Sequence, residues 1–408
     1  MNKKRLKKED GIILFLGTMN SMPMMYAIEL KNLGYEVFYL VDRPKNDSLS
    51  RPENHFSSIQ YPYPDWIIER IIPSSLLISY WPYYYYKVVI RLLKKKKKNI
   101  KIGAVFSSGC FIPLLKYFDE ETVKIFLSHG ADLEWFCNRS KINELAKQFR
   151  KKSFTQFLPS FLSNYIISKI VFNCINAAEK SDFIFFFPKG SSKIGDLVLE
   201  DLLKFDAVYV PRYDISFDIF KNFNIEYKSP GKILKILSPV RHHFYQKNPN
   251  VKGENKGNDI IIRGISKYLS HNSNIEVHFF EKGPDVLIAK HLCNELGLSE
   301  YIIWHKEMPL KELIQLYLES DICFDQVGDH LVGGSGMYAM YLGKPLIANM
   351  ANINFLKDIP IYQAKTPDEV CNALMLITSN FNESLSIKIS NYAKINFSPL
   401  KALSSVIE

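Results

Sequence analysis

The strongest constraint on this chain is an alternation of short apolar runs with stretches of helical length, met twice along the sequence. Residues 12–16 read IILFL. The turn Gly17-Thr18-Met19-Asn20-Ser21 follows, then a helical stretch from Pro23 to about Leu33 closed by Gly34, then a second run at 36–41, EVFYLV. A glycine just past the last helical residue supplies the left-handed backbone that ends a helix. One β-α-β unit is thus complete in the first 41 residues. Further runs stand at 102–106 (IGAVF), 123–127 (VKIFL), 183–187 (FIFFF) and 207–210 (AVYV). Runs this short, rich in β-branched and aromatic residues, suit parallel strands buried on both faces.

A second series begins at residue 233. Strands are predicted at 233–237 (ILKIL), 275–280 (IEVHFF), 301–304 (YIIW), 321–324 (DICF) and 345–348 (PLIA), with helices at 257–270, 285–297, 310–319 and 334–342 between and after them. The expected class is α/β, with two doubly wound Rossmann-like domains facing a cleft. The boundaries read as 1–212, 213–383 and a C-terminal helix in 384–408 that crosses back to the first domain, with the linker near residues 211–230.

Composition narrows the class. Of 408 residues, 47% are hydrophobic, which excludes a disordered, collagen-like or disulfide-stapled chain. Lys and Arg number 52 against 42 Asp and Glu, and the surplus sits entirely in the N-terminal half: 31 basic against 21 acidic residues in 1–211, and 21 of each in 212–408. That step suggests two units with different partners. The cysteines, Cys110, Cys137, Cys174, Cys293, Cys323 and Cys371, form no C-x-x-C and have no histidine at metal-ligand spacing. They read as reduced and buried, with no metal and a cytoplasmic setting. The basic start followed by 12–16 reads as a first strand and not a signal peptide, and no run reaches the ~18 apolar residues of a membrane span.

Three loops after predicted strands of the second half carry chemistry. The first holds Arg241, His242 and His243, then Lys256-Gly257-Asn258-Asp259 opening a helix. Two cations beside a helix N-terminus are what a diphosphate needs, and a solvated basic loop is the alternative. The second is Glu281-Lys282-Gly283-Pro284-Asp285, where a lysine can reach a phosphate or ribose and Asp285 can cap the next helix; a plain turn is the alternative. The third runs from Asp325 through Gly333, Gly334, Ser335 and Tyr338 to Gly343-Lys344-Pro345. Glycines ahead of a helix let backbone N–H groups approach an anion, or else serve tight packing.

Taken together and in this order, these segments resemble the retaining glycosyltransferases of the GT-B fold, group 1 or family 4 type, well over residues 233–350 and in outline elsewhere. The resemblance implies that Arg241 and Lys256 hold the diphosphate of a UDP- or GDP-linked sugar donor, with no metal. It places Glu281, Lys282, Gly283, Gly333, Gly334 and Ser335 around the donor and Met308, in the loop after the 301–304 strand, by the nucleobase. One departure stands out. The family often has two glutamates eight positions apart, and here those positions are His330 and Tyr338. A phenol can hydrogen-bond a ribose hydroxyl but lacks the charged, two-oxygen acceptance of a carboxylate. Asp325, Asp329 and Glu281 are the nearby carboxylates that could compensate.

In the N-terminal half the resemblance sets Gly17, Asn20 and Ser21 beside donor phosphate and acceptor, although a capped β-α turn explains them equally. Ser128-His129-Gly130-Ala131-Asp132 resembles the His-Gly-Ser-Asp turn of that family, which makes His129 a catalytic candidate at a strand's carboxyl end. Residues 87–101 contain eight basic residues and no acid, and Trp81 and Tyr83 to Tyr86 precede them. Residues 81–101 therefore read as a face for an anionic membrane, a solvated loop being the alternative; no nucleic-acid-binding motif accompanies them. The apolar stretch 154–174 reads as a second docking face or as core. The functional expectation is a transferase that moves a sugar to a hydroxyl of a lipid-linked glycan at the inner face of the cell membrane, in cell-surface polysaccharide synthesis. A catalytically impaired glycan-binding or scaffold protein is the second reading, and an epimerase or phosphorylase the third.

Overall fold

The structure is a computed structural model, and it describes residues 4–47, 49–72, 74–151, 155–227, 229–245, 255–328, 332–350 and 355–408. The chain forms two compact units. The first is Met1–Asp218 together with Pro399–Glu408, and the second is Ile219–Ser398. The division falls after Asp218 rather than at 212. The helix Glu383–Asn396 stays in the second unit, and only the last segment, with the short helix Pro399–Leu403, returns to the first.

The first unit is built on seven parallel strands: β1 (Ile12–Leu16), β2 (Val37–Val41), β3 (Ile67–Glu69), β4 (Ile102–Ser107), β5 (Val123–Leu127), β6 (Phe183–Phe186) and β7 (Val208–Pro211), in the order β3-β2-β1-β4-β5-β6-β7. Successive side chains of a strand point to opposite faces. Ile12, Leu14 and Leu16 accordingly enter one core with Phe126, Ile184 and Phe186, while Ile13 and Phe15 enter the other with Tyr39, Phe106 and Phe185. Burial on both faces is why these runs are apolar without interruption. The second core also takes in Ala402, Leu403 and Val406, and the Leu6 N–H donates to the Val406 carbonyl at 2.7 Å. Most of the stretch 154–174, expected as docking face or core, lies in the helix Ser160–Ala178. Ile167, Ile170, Val171 and Cys174 are buried, whereas Phe161, Tyr165 and Phe172 are exposed; Phe154 lies outside the described residues.

The second unit has six parallel strands: β8 (Leu234–Ser238), β9 (Ile275–Phe280), β10 (Ile302–His305), β11 (Ile322–Phe324), β12 (Leu346–Ala348) and β13 (Tyr362–Gln363), in the order β10-β9-β8-β11-β12-β13. Its core joins Ile236, Val277, Phe279, Ile322, Phe324 and Ile347 to Ile261, Ile262 and Ile265 of the helix Asn258–Tyr268. In both sheets the strand order reverses once, between β1 and β4 and between β8 and β11. In open parallel sheets of this kind, ligands bind outside the carboxyl ends of the strands at such a reversal. All six cysteines are unpaired. Among the described residues no helix is long and apolar enough to cross a membrane.

Candidate functional site

In the second unit three loops are laced together at the carboxyl ends of β8, β9 and β11. The Lys256 N–H donates to the His243 carbonyl at 2.8 Å, which joins the loop after β8 to the start of the helix Asn258–Tyr268. Asn258, buried, completes the seam: its Oδ1 accepts the His243 N–H at 3.1 Å and its Nδ2 donates to the Val240 carbonyl at 3.4 Å. The loop after β11 closes on the same place, with the Val327 N–H donating to the Lys256 carbonyl at 3.2 Å. Glycine is required at this crossing. A Cβ on Gly328 would stand 2.0 Å from the Asn255 carbonyl oxygen, and one on Gly257 2.7 Å from the Gly328 nitrogen. Arg241 and Lys256 therefore leave one continuous rim, Arg241 exposed and Lys256 half-buried. Gly257 also stands at the helix cap and has no side chain of its own to cap the first amides.

The loop after β9 docks on the same rim from the other side. The His242 N–H donates to the Lys282 carbonyl at 2.7 Å, and the Asp285 N–H to the His242 carbonyl at 3.1 Å. Gly283, at φ +108°, lies where a Cβ would come within 2.3 Å of the His242 oxygen. The expected helix cap by Asp285 is not made. Its carboxylate turns instead to the first loop and accepts the N–H groups of Phe244 at 2.7 Å and Tyr245 at 2.9 Å. Neither charged side chain expected to face the donor stands alone: Lys282 pairs with Glu307 at 2.7 Å, and Glu281 pairs with Lys290 at 2.5 Å, which holds its carboxyl below the ordinary range. Met308, half-buried, lies in the same 306–309 loop as Glu307.

The glycine-rich turn differs from expectation in a specific way. Asp325, at the end of β11 and 3% exposed, occupies the N-terminus of the helix Gly334–Tyr341. Its Oδ2 accepts from the N–H of Gly333 at 2.5 Å and of Gly336 at 3.2 Å, and its Oδ1 from the Gln326 N–H at 2.8 Å and the Ser335 hydroxyl at 3.3 Å. The Gly333 amide and the Ser335 hydroxyl are thus already engaged by a carboxylate, which would also repel a phosphate brought to that turn. Burial pushes the Asp325 carboxyl up, against the hydrogen bonds that pull it down. Gly334 is exposed, and nothing among the described residues stands within 4 Å of where a Cβ would be. Tyr338 is packed rather than presented, its ring edge-on to Phe220 at 5.8 Å, and burial pushes its hydroxyl up to about 12. His330 and Asp329 lie outside the described residues.

In the first unit the loops after β1 and β4 meet, since a Cβ on Gly17 would stand 2.5 Å from Ser108 Oγ. Asn20 and Ser21 both take left-handed backbone, φ 50° and 54°. Neither caps the following helix. Ser21 is buried and donates to the Leu49 carbonyl at 3.2 Å, while Asn20 is exposed. Thr18 donates to the buried Asp42 carboxylate at 2.6 Å. After β5, Asp132 organises the 128–132 turn by accepting the Ser128 hydroxyl (2.7 Å) and the N–H groups of His129 (2.9 Å), Leu133 (3.0 Å) and Gly109 (3.1 Å). The His129 Nδ1 lies 3.2 Å from an Nη of Arg212, a residue that composition and motif reading passed over. The only signal was its place, next to Pro211 at the end of a strand. Among the described residues, no three His, Cys, Asp or Glu side chains stand where they could hold a metal ion.

No family model matches the sequence, and no curated protein matches it. Solved structures do. The chain superposes on a sucrose-phosphate synthase from Thermosynechococcus elongatus over 97% of each chain, with a TM-score of 0.53 at 11% identity. It superposes equally on the catalytic domain of starch synthase IV from Arabidopsis thaliana, solved with ADP and acarbose, over 97% of each chain, with a TM-score of 0.54 at 10% identity. The fold is GT-B. At such identities the likeness fixes the GT-B path of the chain and leaves its chemistry to the site residues.

Proposed function

We propose that this GT-B chain is a glycosyltransferase that takes a sugar from a UDP- or GDP-linked donor and passes it to a hydroxyl of a glycan. The observation that carries the reading is the 2.8 Å bond from the Lys256 N–H to the His243 carbonyl. It brings the Arg241 loop and the uncapped start of the helix Asn258–Tyr268 to one rim, at the point where the strand order reverses. Two cations and a row of helix amides there would meet the charge that builds on a departing nucleoside diphosphate. The expectation that Gly333 shares this work gives way to the Asn258 helix, because Asp325 already holds its N–H, along with the Ser335 hydroxyl. Gly334 remains the part of that turn that can approach the sugar. The two solved structures are a sucrose-phosphate synthase and a starch synthase bound to ADP and acarbose, which agrees with this reading.

The acceptor is proposed to be lipid-linked, which would place the chain on the inner face of the cell membrane. Support comes from one surface of the first unit. On the helix Pro82–Lys96, Tyr83 and Tyr84 are exposed, as are Lys87, Arg91 and the lysines at 94–96, with Trp81 just ahead and Lys97 and Lys98 just after. On the helix Ser160–Ala178, Phe161, Tyr165 and Phe172 are exposed as well, and Lys169 lies 4.0 Å over the Tyr80 ring. Aromatic rings with long cations between them are the composition of a membrane interface.

Tyr338 favours one alternative. A ring packed on Phe220 where the family often has a ribose-holding glutamate suits a binding or scaffold protein that has lost transfer. Calorimetry of the full chain with a panel of UDP- and GDP-sugars, followed by product analysis with and without glycan acceptor, separates the readings. Binding with acceptor-dependent release of the nucleoside diphosphate is expected. Binding without turnover supports the scaffold, conversion of donor without acceptor supports an epimerase, and no binding to any donor removes the proposal.

A further inference from the structure

The carboxyl ends of β5, β6 and β7 enclose a set of charges that nucleotide binding in the second unit does not use. Arg212 follows β7 directly and is 1% exposed. One Nη donates to the Ser128 carbonyl at 3.2 Å and lies 3.2 Å from His129 Nδ1; the other reaches the Met22 sulfur at 3.7 Å. The guanidinium covers the Phe187 ring at 5.4 Å. Its Nε stands 3.5 Å from Asp214 Oδ1, an ion pair without the alignment of a hydrogen bond. The Tyr26 hydroxyl donates to the other oxygen of Asp214. A phenol thus anchors a carboxylate, the carboxylate holds a guanidinium, and the guanidinium faces a histidine.

Elementary chemistry then settles the histidine's state. A guanidinium carries only N–H donors and keeps its charge inside proteins. The nitrogen it faces, His129 Nδ1, must therefore present its lone pair. Burial first, and Arg212 second, keep the imidazole from gaining a second proton by holding its pKa well below the ordinary value. No carboxylate offsets them at the ring, since Asp132 is spent on the His129 backbone N–H and Asp214 on Tyr26 and Arg212. The one ring proton then sits on Nε2, which is buried and has no acceptor among the described residues. A buried donor without a partner is a place for a ligand oxygen.

We propose that Arg212 is a positioning residue that locks His129 as the Nε2–H tautomer, so that His129 meets its ligand as a neutral hydrogen-bond donor and not as a base. The ligand atom is an oxygen, either of the diphosphate or of a sugar hydroxyl. This rests on the glycosyltransferase reading for the identity of the ligand, but not for the lock itself.

The lock is read without turnover by nitrogen-15 NMR of the full chain with labelled histidine. The expected result is a proton on Nε2 and none on Nδ1, unchanged from mildly alkaline to mildly acidic pH. A proton on Nδ1, or an imidazolium near neutrality, overturns the proposal. Titration with UDP and UDP-glucose identifies the oxygen: an Nε2–H shift with UDP alone assigns the diphosphate, and one seen only with UDP-glucose assigns a hydroxyl. Turnover with no shift for either overturns the ligand half. In kinetics, His129→Gln keeps an N–H near the Nε2 position and should stay within about tenfold of the parent, whereas loss of a general base would cost about 10²–10⁴-fold. A His129→Gln loss as large as that of His129→Ala rules out the donor role. Arg212→Lys, if folded, should admit the second tautomer and add an acid limb to the pH profile; if it does not fold, the wild-type spectrum and His129→Gln still decide.

Discussion

Asp325 Oδ2 accepts the Gly333 N–H at 2.5 Å, so the turn that reads as an anion cradle is already filled by the chain's own carboxylate. The same oxygen takes the Gly336 N–H, and a Cβ on Gly336 would stand 2.6 Å from it. The aspartate at the end of β11 is therefore a cap for the helix Gly334–Tyr341, made from outside the helix. Asp325→Ala should lower stability by about 1–3 kcal/mol, because it leaves buried amides unmet. Thermal melting of the full chain checks this, and an unchanged midpoint would remove the cap from the account.

The bond from the Lys256 N–H to the His243 carbonyl sets Arg241 and Lys256 on one rim. Lys256→Ala should slow transfer by about 10²–10³-fold, the scale of losing one preorganised group at a developing anion, with little change in melting. Steady-state kinetics with a confirmed donor is the measurement. Turnover equal to the parent would displace the diphosphate from this rim.

Gly283→Ala tests the seam between the β8 and β9 loops. At φ +108° a side chain is strained, and here its Cβ would meet the His242 carbonyl oxygen at 2.3 Å. The strain alone costs about 1–3 kcal/mol, and the displaced loop should weaken nucleotide binding as well. If calorimetry and melting both match the parent, the two loops are not held together as described.

His242 makes stability depend on pH. The ring is buried against Phe279 and Trp304, and burial, partly opposed by Asp285, lowers its pKa to about 4. The unfolded chain takes up this proton near the ordinary 6.5, the folded one only near 4. The contribution is therefore full above the unfolded value and is lost as pH falls toward the folded one; two to three units correspond to an upper bound on the order of 3 kcal/mol. His242→Phe should lose less stability than the parent between neutral pH and pH of about 5, as read by urea midpoints. Parallel losses would assign the acid sensitivity elsewhere.

The basic and aromatic face of the first unit should bind anionic vesicles. Lys96 and Lys97 are shared with Asp65 and Glu36, while Lys94, Lys95 and Lys98 have no ion pair among the described residues. Replacing 94–98 with glutamine should weaken vesicle binding by up to about 1 kcal/mol per charge near the surface. Phe161→Ser with Tyr165→Ser should reduce binding that persists at high salt, where charge is screened. Cosedimentation with phosphatidylserine vesicles reads both, and binding indifferent to both changes would remove the membrane from the reading.

The strands were legible because burial on both faces demands unbroken apolar runs, and 12–16, 123–127 and 275–280 coincide with β1, β5 and β9. β13 escaped notice because it has only two residues, and β3 because its Ile67-Ile68-Glu69 is set among the prolines, aromatics and charges of residues 61–70. Arg241, Lys256 and Gly283 announced themselves by residue type and by place after a strand. Arg212, Asp214 and Tyr26 did not, for an arginine and an aspartate two positions apart mark nothing by themselves, and the tyrosine lies 188 positions from the aspartate.

What the linear order of residues determined by itself was the two β-α series, the reversal-prone loops and the glycines that let them approach, since these depend on side-chain volume and local backbone freedom. Which donors those loops leave open was decided only in three dimensions. Hydrogen bonds are short and directional, so whether Gly333 serves a ligand or Asp325, and on which nitrogen His129 carries its proton, depends on neighbours that only the folded chain brings within 3.5 Å.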